Sequence, residues 1–369
     1  MKKMIFTAAM MLASAAAMAQ SGTFQIKGNV EGLPDSLVAM IGRKTENIEV
    51  KKKKFEFSKN FDKPQWVYLC DQKVIKSGAF SAIPVFAIPS ETIEMKGNFT
   101  GSVDIKGGKF YQQQDLMNEY KGQAYKDIKA LWKWYSDNVN DSNRDSIEKV
   151  VDERMEPLQK KYAADLLAYA KQHSDQECIA LLIDELDDVK DKETLISLMA
   201  DNVKNGRMKA YYEPIFERAK KRAEMEEKAK VVQASGVEAP DFTLNDINGK
   251  PFSLSSLRGK YVVIDFWGSW CIWCIKGMPK MKEYYEKYKG KFEILGVDCN
   301  DTEAKWKAAV EKHQLPWIHV YNPKGSDVLD KYAVQGFPTK IVIGPDGKIV
   351  KTIVGEDPAF YTLLDEVLK

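Results

Sequence analysis

The pattern of apolar and polar positions divides the chain into three regions of different periodicity. From about Ser21 to Phe110, apolar and polar residues alternate in short runs such as FQIKGNV and KFEFSKNF, and Gly, Pro and Asn interrupt the runs. A period of two places every second side chain on the same face of a strand. The pattern therefore predicts an N-terminal antiparallel β domain over residues 20–110.

The period changes to that of helices after residue 110. Segments such as QQDLMNEYKGQAYKDIKALWKWYSDNV and CIALLIDEL place apolar residues at i, i+3 and i+4, which lie on one face of a helix. The region closes with FERAKKRAEMEEKAKVVQASG, a highly charged segment that runs into Ser235 and Gly236. We therefore predict an α-helical domain and linker over residues 111–235.

The third region, residues 236–369, has apolar strands without alternation. YVVIDFWG and FEILGVDC are mainly apolar runs, which is typical of strands buried on both faces in a parallel sheet. Helical segments separate them, and a hairpin around Pro345-Asp346-Gly347 precedes the last helix. The order strand, helix, strand, helix, hairpin, helix predicts an α/β domain with a central sheet, the third part of a multidomain chain.

Three features of the first two regions are interpreted as structural. The aromatic cluster Trp132, Trp134 and Tyr135 is expected to pack within the helical layer or against the β domain. Cys178 lies in an apolar helical context and is expected to be a buried small hydrophobe. The lysine run 51–54 lies between alternating segments, which favours a solvated hairpin turn over a binding patch.

The N-terminus has the three-part pattern of a secretory signal peptide. Met1-Lys2-Lys3 is basic, an Ala/Met-rich apolar run follows, and Ala17-Met18-Ala19 has the small-x-small form of a cleavage site. The apolar run is shorter than the roughly 20 residues that a membrane span needs. We therefore predict a cleaved signal peptide over residues 1–19 and an exported, periplasmic, soluble protein, with an uncleaved anchor as the alternative.

Composition and charge narrow the classes of function. Hydrophobic residues make up 44% and charged residues 29% of the 369, which are globular values that argue against wholesale disorder. Loss of the signal peptide removes Lys2 and Lys3 and no acid, so the formal net charge falls from +2 to zero. A neutral chain gives no electrostatic reason to expect nucleic acid as a partner.

The five cysteines are too few for a disulfide framework, and only Cys271 and Cys274 are close in sequence. Cys271 follows an apolar strand, and Cys274 falls in the first turn of the helix after it. Free backbone N–H groups and the positive end of the helix dipole stabilise a thiolate there. We predict that Cys271 is the attacking nucleophile and that the more buried Cys274 resolves the mixed disulfide.

Two alternatives for this pair are less well supported. A structural zinc site needs four ligands, but the chain has no second close cysteine pair, and His173, His313 and His319 are not spaced to complete a site. A structural disulfide that closes so short a loop adds little stability. The pattern favours a redox-active pair.

The last region resembles the TlpA/ResA-like exported thiol–disulfide oxidoreductases of the thioredoxin superfamily, which are related to the AhpC/TSA domain. The resemblance covers residues 236–369 and rests on APDFTLNDINGKPFSLSSLRGKYVVIDFWGSWC and GFPTKIVIGPDGKI. It implies a C-terminal thioredoxin-like fold. The segment IKGNVEGLPDS resembles the β-rich domain found ahead of such domains. A peroxiredoxin is excluded because Gly268 stands where its Thr or Ser would precede the cysteine.

The resemblance assigns roles to further residues. Asp265 corresponds to the buried carboxylate that relays the proton of the second cysteine, which makes it catalytic together with Cys271 and Cys274. Pro338 corresponds to the cis-proline that faces the cysteines. Substrate binding is expected from Trp270, Trp273, Phe337 and Pro338, where the backbone pairs with an extended segment.

Gly277, Pro279 and Cys299 are three further positions near the pair. TlpA/ResA-like proteins commonly carry glutamate three residues after the second cysteine, but Gly277 stands there in this chain. Pro279 corresponds to the proline that kinks the active-site helix. Cys299 ends the strand FEILGVDC, and we expect a semi-buried cysteine, with a third redox thiol as the alternative.

These observations predict a periplasmic enzyme that reduces protein disulfides through the Cys271–Cys274 dithiol. The resemblance implies a membrane thiol as electron donor and cysteine-containing envelope proteins, such as apocytochromes, as targets. No cofactor beyond the redox-active disulfide and no metal is expected. The alternatives are a disulfide oxidase or isomerase, and an envelope-binding protein in which the redox pair is secondary.

Overall fold

A computed structural model describes residues 21–76, 81–120, 122–140 and 142–369. The predicted signal peptide, residues 1–19, lies outside the described residues. The chain divides into two compact units, of which the first ends at Ala219 and the second begins at Lys220. None of the helices in the described ranges has the length and the apolar character needed to cross a bilayer.

The first unit begins with two β-sheets, as the alternating pattern predicts. One has the strand order β4-β5-β1-β8-β9 and the other the order β3-β2-β6-β7. The strands are β1 Gly22–Glu31, β2 Leu37–Ile41, β3 Lys44–Asn47, β4 Val50–Lys51, β5 Lys54–Phe61, β6 Gln65–Asp71, β7 Ala82–Ala87, β8 Thr92–Asn98 and β9 Val103–Lys106. Strict alternation of buried and exposed residues along β1 shows that one face of its sheet packs on the core.

The pairing of β1 with β8 is parallel, whereas the other pairs in these sheets are antiparallel. Parallel neighbours need a long crossover, and the sheet that contains β2, β6 and β7 provides it. The predicted lysine turn is confirmed. Lys52 and Lys53 both have positive φ and connect β4 to β5 as a two-residue hairpin.

Helices complete the first unit. They are α1 Gln72–Lys76, α2 Lys109–Tyr120, α3 Gly122–Asn138, α4 Arg144–Gln172, α5 Val189–Leu198, α6 Asp201–Lys204 and the first part of α7 Lys209–Val232, with a 3₁₀ segment at Glu177–Asp184. The boundary between the two units falls within α7. The sheets and helices share one hydrophobic core, to which β1 contributes Phe24, α2 contributes Phe110 and the 3₁₀ segment contributes Cys178. Cys178 is fully buried, as predicted. The separate bounds 20–110 and 111–235 remain predictions.

Two of the three side chains in the aromatic cluster of α3 pack against apolar residues, and the third is half exposed. Trp134 and Tyr135 pack on Leu131, Val151 and other apolar residues of the helical layer, as expected. In the same helix, Trp132 makes an edge contact with Tyr135, with ring centroids 5.7 Å apart, but it is half exposed and so packs within the layer on one side only.

The second unit confirms the predicted α/β arrangement. Its sheet has the order β11-β10-β14-β13-β12-β15-β16, in which β12, β13 and β14 are parallel, β15 is antiparallel to β12, and β16 is antiparallel to β15. The strands are β10 Thr243–Asp246, β11 Pro251–Ser253, β12 Tyr261–Trp267, β13 Phe292–Asp298, β14 Ile318–Tyr321, β15 Thr339–Ile343 and β16 Ile349–Val354. The helices are α8 Ile272–Lys287, α9 Glu303–His313, α10 Val328–Lys331 and α11 Ala359–Val367. Two apolar clusters form the core of this unit.

Candidate active site

The site is built where β12 passes into α8. Strand β12 is apolar and lies between β13 and β15, so its carboxyl end is fixed on both sides. Helix α8 begins at Ile272, and Cys271 is its N-cap residue in an extended conformation. The Cys271 Sγ accepts the backbone N–H of Cys274 at 3.2 Å, as the oxygen of a serine or aspartate N-cap does. Negative charge on this sulfur is therefore stabilised by an amide hydrogen bond and by the helix dipole.

Cys271 and Cys274 form a disulfide with an S–S distance of 2.05 Å and a Cα–Cα distance of 5.3 Å. The structure is therefore the oxidised form. Both cysteines are buried, at 5% and 4% exposure, so the predicted difference in burial between them is absent in this form. Pro279 lies inside α8, in the position that the resemblance gives it.

An apolar rim surrounds the disulfide, formed by the exposed side chains of Trp270, Ile272 and Trp273. The Trp270 indole is oriented by a hydrogen bond from its Nε1–H to the carbonyl oxygen of Cys299 at 3.0 Å and by an edge contact with Phe337. The Phe337–Pro338 peptide bond is cis, as the resemblance implies. Apolar side chains that remain in solvent around a reactive group are a common mark of a surface that binds a partner.

Asp265 lies in the middle of β12 and is 4% exposed. Burial raises the pKa of its carboxyl group to about 6, while the charge of Lys340 lowers it and the charge of Glu356 raises it further. The Oδ1 atom has no hydrogen-bond partner. A buried carboxyl with this pKa can hold or release a proton close to neutral pH, which is what a proton relay needs.

Known proteins similar to this chain match its second unit. The AhpC/TSA family model matches residues 235–352. The thiol–disulfide oxidoreductase ResA of Bacillus cereus is 43% identical over 122 residues, which are 33% of this chain and 70% of that protein. ResA of Bacillus subtilis is 36% identical over 123 residues, which are 33% of this chain and 68% of that protein.

The chain belongs to the ResA-like thiol–disulfide oxidoreductases of the thioredoxin superfamily. A solved structure, the thioredoxin domain of a thiol–disulfide oxidoreductase from Bacteroides vulgatus, is 35% identical and covers 37% of this chain and 99% of that chain, with a TM-score of 0.35. The similarity to ResA confirms the prediction of a thiol–disulfide oxidoreductase.

The loop before the redox pair of this ResA-like enzyme is fixed by Asp301, which the sequence analysis did not identify. The Ser269 N–H and the Ser269 hydroxyl donate to the two carboxylate oxygens of Asp301 at 2.6 and 2.7 Å. Gly268 is required in this loop because an added Cβ would lie 2.8 Å from the carbonyl oxygen of Cys299. Asp301 follows β13 and is distant in sequence, and no local motif connects it to Ser269.

Lys340 and Glu356 were also missed. Lys340 lies in β15 and is 1% exposed, and its ammonium group donates to the Glu356 carboxylate at 2.7 Å. A lysine in the apolar run TKIVI, two residues after Pro338, was an available signal, since a buried lysine needs a partner. Glu356 lies in the loop between β16 and α11, where the sequence gives no comparable signal.

Cys299 is fully buried, so the expectation of a semi-buried thiol was wrong. Its thiol donates to the Val297 carbonyl oxygen at 3.4 Å, and burial raises its pKa. A thiol in this environment is a poor nucleophile. In the described part of the chain, no group of three or more His, Cys, Asp or Glu side chains is arranged to hold a metal ion; that the enzyme uses no metal remains a prediction.

Proposed function

We propose that this oxidoreductase is exported to the periplasm and acts mainly as a reductase of protein disulfides. The observation that carries the proposal is the position of Cys271 as the N-cap of α8, in a disulfide with Cys274 and within an apolar rim. The basic start and apolar run of residues 1–19 support export.

In the proposed reaction, the Cys271 thiolate of the reduced enzyme attacks one sulfur of a substrate disulfide. A mixed disulfide forms, and the substrate's other sulfur leaves as a thiolate that takes a proton from solvent. The Asp265 carboxylate then accepts the proton of the Cys274 thiol, and the Cys274 thiolate attacks the Cys271 sulfur. This step forms the Cys271–Cys274 disulfide and releases the second substrate sulfur as a thiolate, so the substrate gains two electrons.

The substrate is proposed to be an extended cysteine-containing segment of an envelope protein, of which an apocytochrome is one kind. Its apolar side chains would contact Trp270 and Trp273, and its backbone would pair beside Phe337 and Pro338. A membrane protein with a dithiol is proposed as the donor that returns two electrons to the enzyme. No cofactor other than the disulfide takes part in these steps.

Insulin reduction tests the direction of transfer. The purified mature protein is reduced, freed of small thiols and offered insulin, and precipitation of the insulin B chain is followed. We expect reduction by the wild-type protein and by Cys299→Ser, which removes a buried thiol outside the pair, and no reduction by Cys271→Ser. An inactive wild-type protein, or full activity of Cys271→Ser, would contradict the proposal.

Covalent trapping tests the substrate class. Cys274→Ser cannot resolve the mixed disulfide, so it is expected to accumulate disulfide-linked adducts with envelope proteins that reductant releases. The matched control is the double variant Cys271→Ser/Cys274→Ser, which lacks the attacking sulfur and should form none. Equal adducts in both variants would show that capture does not depend on the redox pair.

A further inference from the structure

Four elements bring titratable groups into the surroundings of the Asp265 carboxyl. Lys340 comes from β15, Glu356 from the loop after β16, Tyr361 from α11 and Cys299 from the end of β13. Burial raises the pKa of both the Tyr361 hydroxyl and the Cys299 thiol, so these two groups are neutral in the working pH range. The charges that act on Asp265 are therefore those of Lys340 and Glu356.

The register of the sheet makes Lys340 the natural partner of Asp265. The two residues are directly opposite in the antiparallel pair of β12 and β15, and so project on the same face. Both are almost completely buried. A carboxylate and an ammonium group in this arrangement are expected to form an ion pair, which would leave Asp265 permanently ionised.

The structure shows a different pairing. The Lys340 ammonium group donates to Glu356 Oε2 at 2.7 Å, and Asp265 Oδ1 has no partner. A second hydrogen bond fixes the Glu356 carboxylate, because the Tyr361 hydroxyl donates to Oε1 at 2.8 Å. Its loop is also anchored beside the cis-proline, because the Gly355 N–H donates to the Pro338 carbonyl oxygen at 2.7 Å.

The position of the Glu356 carboxylate depends on Gly277 in the active-site helix. A Cβ atom added to Gly277 would clash with the carboxyl group of Glu356. The absence of a side chain at this position in α8 therefore leaves the space into which Glu356 reaches from another part of the chain. Two carboxyl groups and one ammonium group thus share a buried cluster, and the cation is committed to one of the two acids.

We propose that Glu356 is a positioning residue for the proton relay: by binding the Lys340 ammonium group above Gly277, it keeps Lys340 from pairing with Asp265 and leaves Asp265 free to exchange its proton. This inference rests on the proposed role of Asp265 in accepting the proton of Cys274. Glu356 acts through Lys340 and touches neither the substrate nor the sulfur atoms in this account.

The test is a titration of the Asp265 carboxyl by carbon-13 NMR in the oxidised full-length mature protein, with Asp265→Asn to assign the signal. In Glu356→Gln, the released ammonium group should pair with Asp265, and the titration midpoint should fall by roughly 1 to 3 pH units, the usual effect of a neighbouring cation on a carboxylate. Glu366→Gln, which removes an exposed acid from α11, is the matched control and should leave the midpoint unchanged.

Gly277→Ala provides a second, independent variant. The new methyl group should displace Glu356 without changing any charge, so the midpoint of Asp265 should fall as it does in Glu356→Gln. Loss of the Glu356 charge alone would lower the midpoint in Glu356→Gln, so the fall in Gly277→Ala, where no charge is removed, is the result that requires Lys340 to change partner; an unchanged midpoint in folded Gly277→Ala would also overturn the proposal. An unchanged or higher midpoint in Glu356→Gln, with a folded protein, would overturn the proposal.

Insulin reduction tests the proposed relay role of Asp265 separately from the effect of Glu356 on Lys340. Insulin reduction by Glu356→Gln should reach its plateau at lower pH and at a lower rate, because a weaker base accepts the proton of Cys274 less readily. If Asp265→Asn reduces insulin at the wild-type rate, the relay role fails. The titration midpoint still decides whether Glu356 keeps Lys340 away from Asp265.

Discussion

Lys340 lies directly across from Asp265 in neighbouring antiparallel strands, yet its ammonium group forms an ion pair with Glu356. Asp265 therefore has a cation on its own face of the sheet without a hydrogen bond from it. Desolvation is then the dominant influence on this carboxyl group, and it raises the pKa to about 6. Charge at this position is therefore costly, and the proposed role of Asp265 in proton exchange would account for an acid there.

The cost of this charge predicts that Asp265→Asn stabilises the oxidised enzyme. Since the folded-state pKa is raised, the contribution of Asp265 to stability is fully present below its ordinary pKa near 4 and is lost as the pH rises through about 6. Above pH 6, the variant should gain up to roughly 3 kcal/mol in the free energy of unfolding, and at pH 4 much less. Urea unfolding at pH 4 and pH 8 measures the difference, with Glu366→Gln as the exposed control.

We predict that Asp301→Asn loosens the loop before the redox pair. The amide can accept only one of the two hydrogen bonds that Ser269 donates, and the loss should cost roughly 1 to 3 kcal/mol in the free energy of unfolding. Ser269→Ala removes only the hydroxyl bond and should cost less. Urea unfolding of both variants gives the comparison; equal stability of Asp301→Asn and the wild-type enzyme would contradict the role of this carboxylate.

The same substitution should change the titration of Asp298. Burial, and after it the charge of Asp301, raise the pKa of the Asp298 carboxyl to about 8. Without the negative charge at position 301, the Asp298 midpoint should move to lower pH, which carbon-13 NMR can follow. A midpoint that stays near 8 in Asp301→Asn would show that desolvation alone sets it.

The apolar rim predicts a selective loss of protein substrates in Trp273→Ala. Trp273 is 59% exposed, so its removal should change the stability of the enzyme little. The KM for insulin should rise roughly 10-fold, as for the loss of about 1.4 kcal/mol of binding. A small disulfide such as Ellman's reagent should react at the wild-type rate. Trp132→Ala, which removes a half-exposed tryptophan of the first unit, should leave both activities unchanged.

Thiol labelling should separate the redox pair from the other cysteines. Cys70, Cys178 and Cys299 are fully buried, and burial raises the pKa of each thiol, in the case of Cys178 to about 12. In the reduced native protein, iodoacetamide should therefore modify Cys271 and leave these three unmodified until the protein is unfolded in urea. Mass spectrometry identifies the labelled positions, and native labelling of Cys299 at the rate of Cys271 would support a third redox thiol.

The parts of the fold that follow from local pattern were predicted from the sequence. The alternation in β1 and the mainly apolar character of β12 depend on neighbouring residues, and the placement of Cys271 at a helix start depends only on the boundary between β12 and α8. The parallel pairing of β1 with β8 could not be predicted in this way, because it depends on a crossover that the alternation of either strand does not specify.

The residues of the site likewise divide into those that a local motif identifies and those that only the fold brings together. Cys271, Trp273 and Cys274 lie within four consecutive residues, so a short motif identifies them. Asp301 and Glu356 act on this motif from distant segments, and only the fold brings their carboxylates to Ser269 and Lys340. Gly277 shows what the sequence alone cannot predict. Its lack of a side chain is visible in the sequence, but the sequence does not show that the Glu356 carboxyl group fills the space.

The burial of the disulfide beneath the apolar rim has a kinetic consequence. Cys271 and Cys274 are almost completely buried, whereas Ile272 and Trp273 are exposed. A small hydrophilic thiol gains nothing from crossing this apolar surface, whereas a protein partner releases water from the rim as it brings its own cysteine into place. We therefore expect the proposed protein partners to exchange electrons with this pair faster than dissolved small-molecule thiols do.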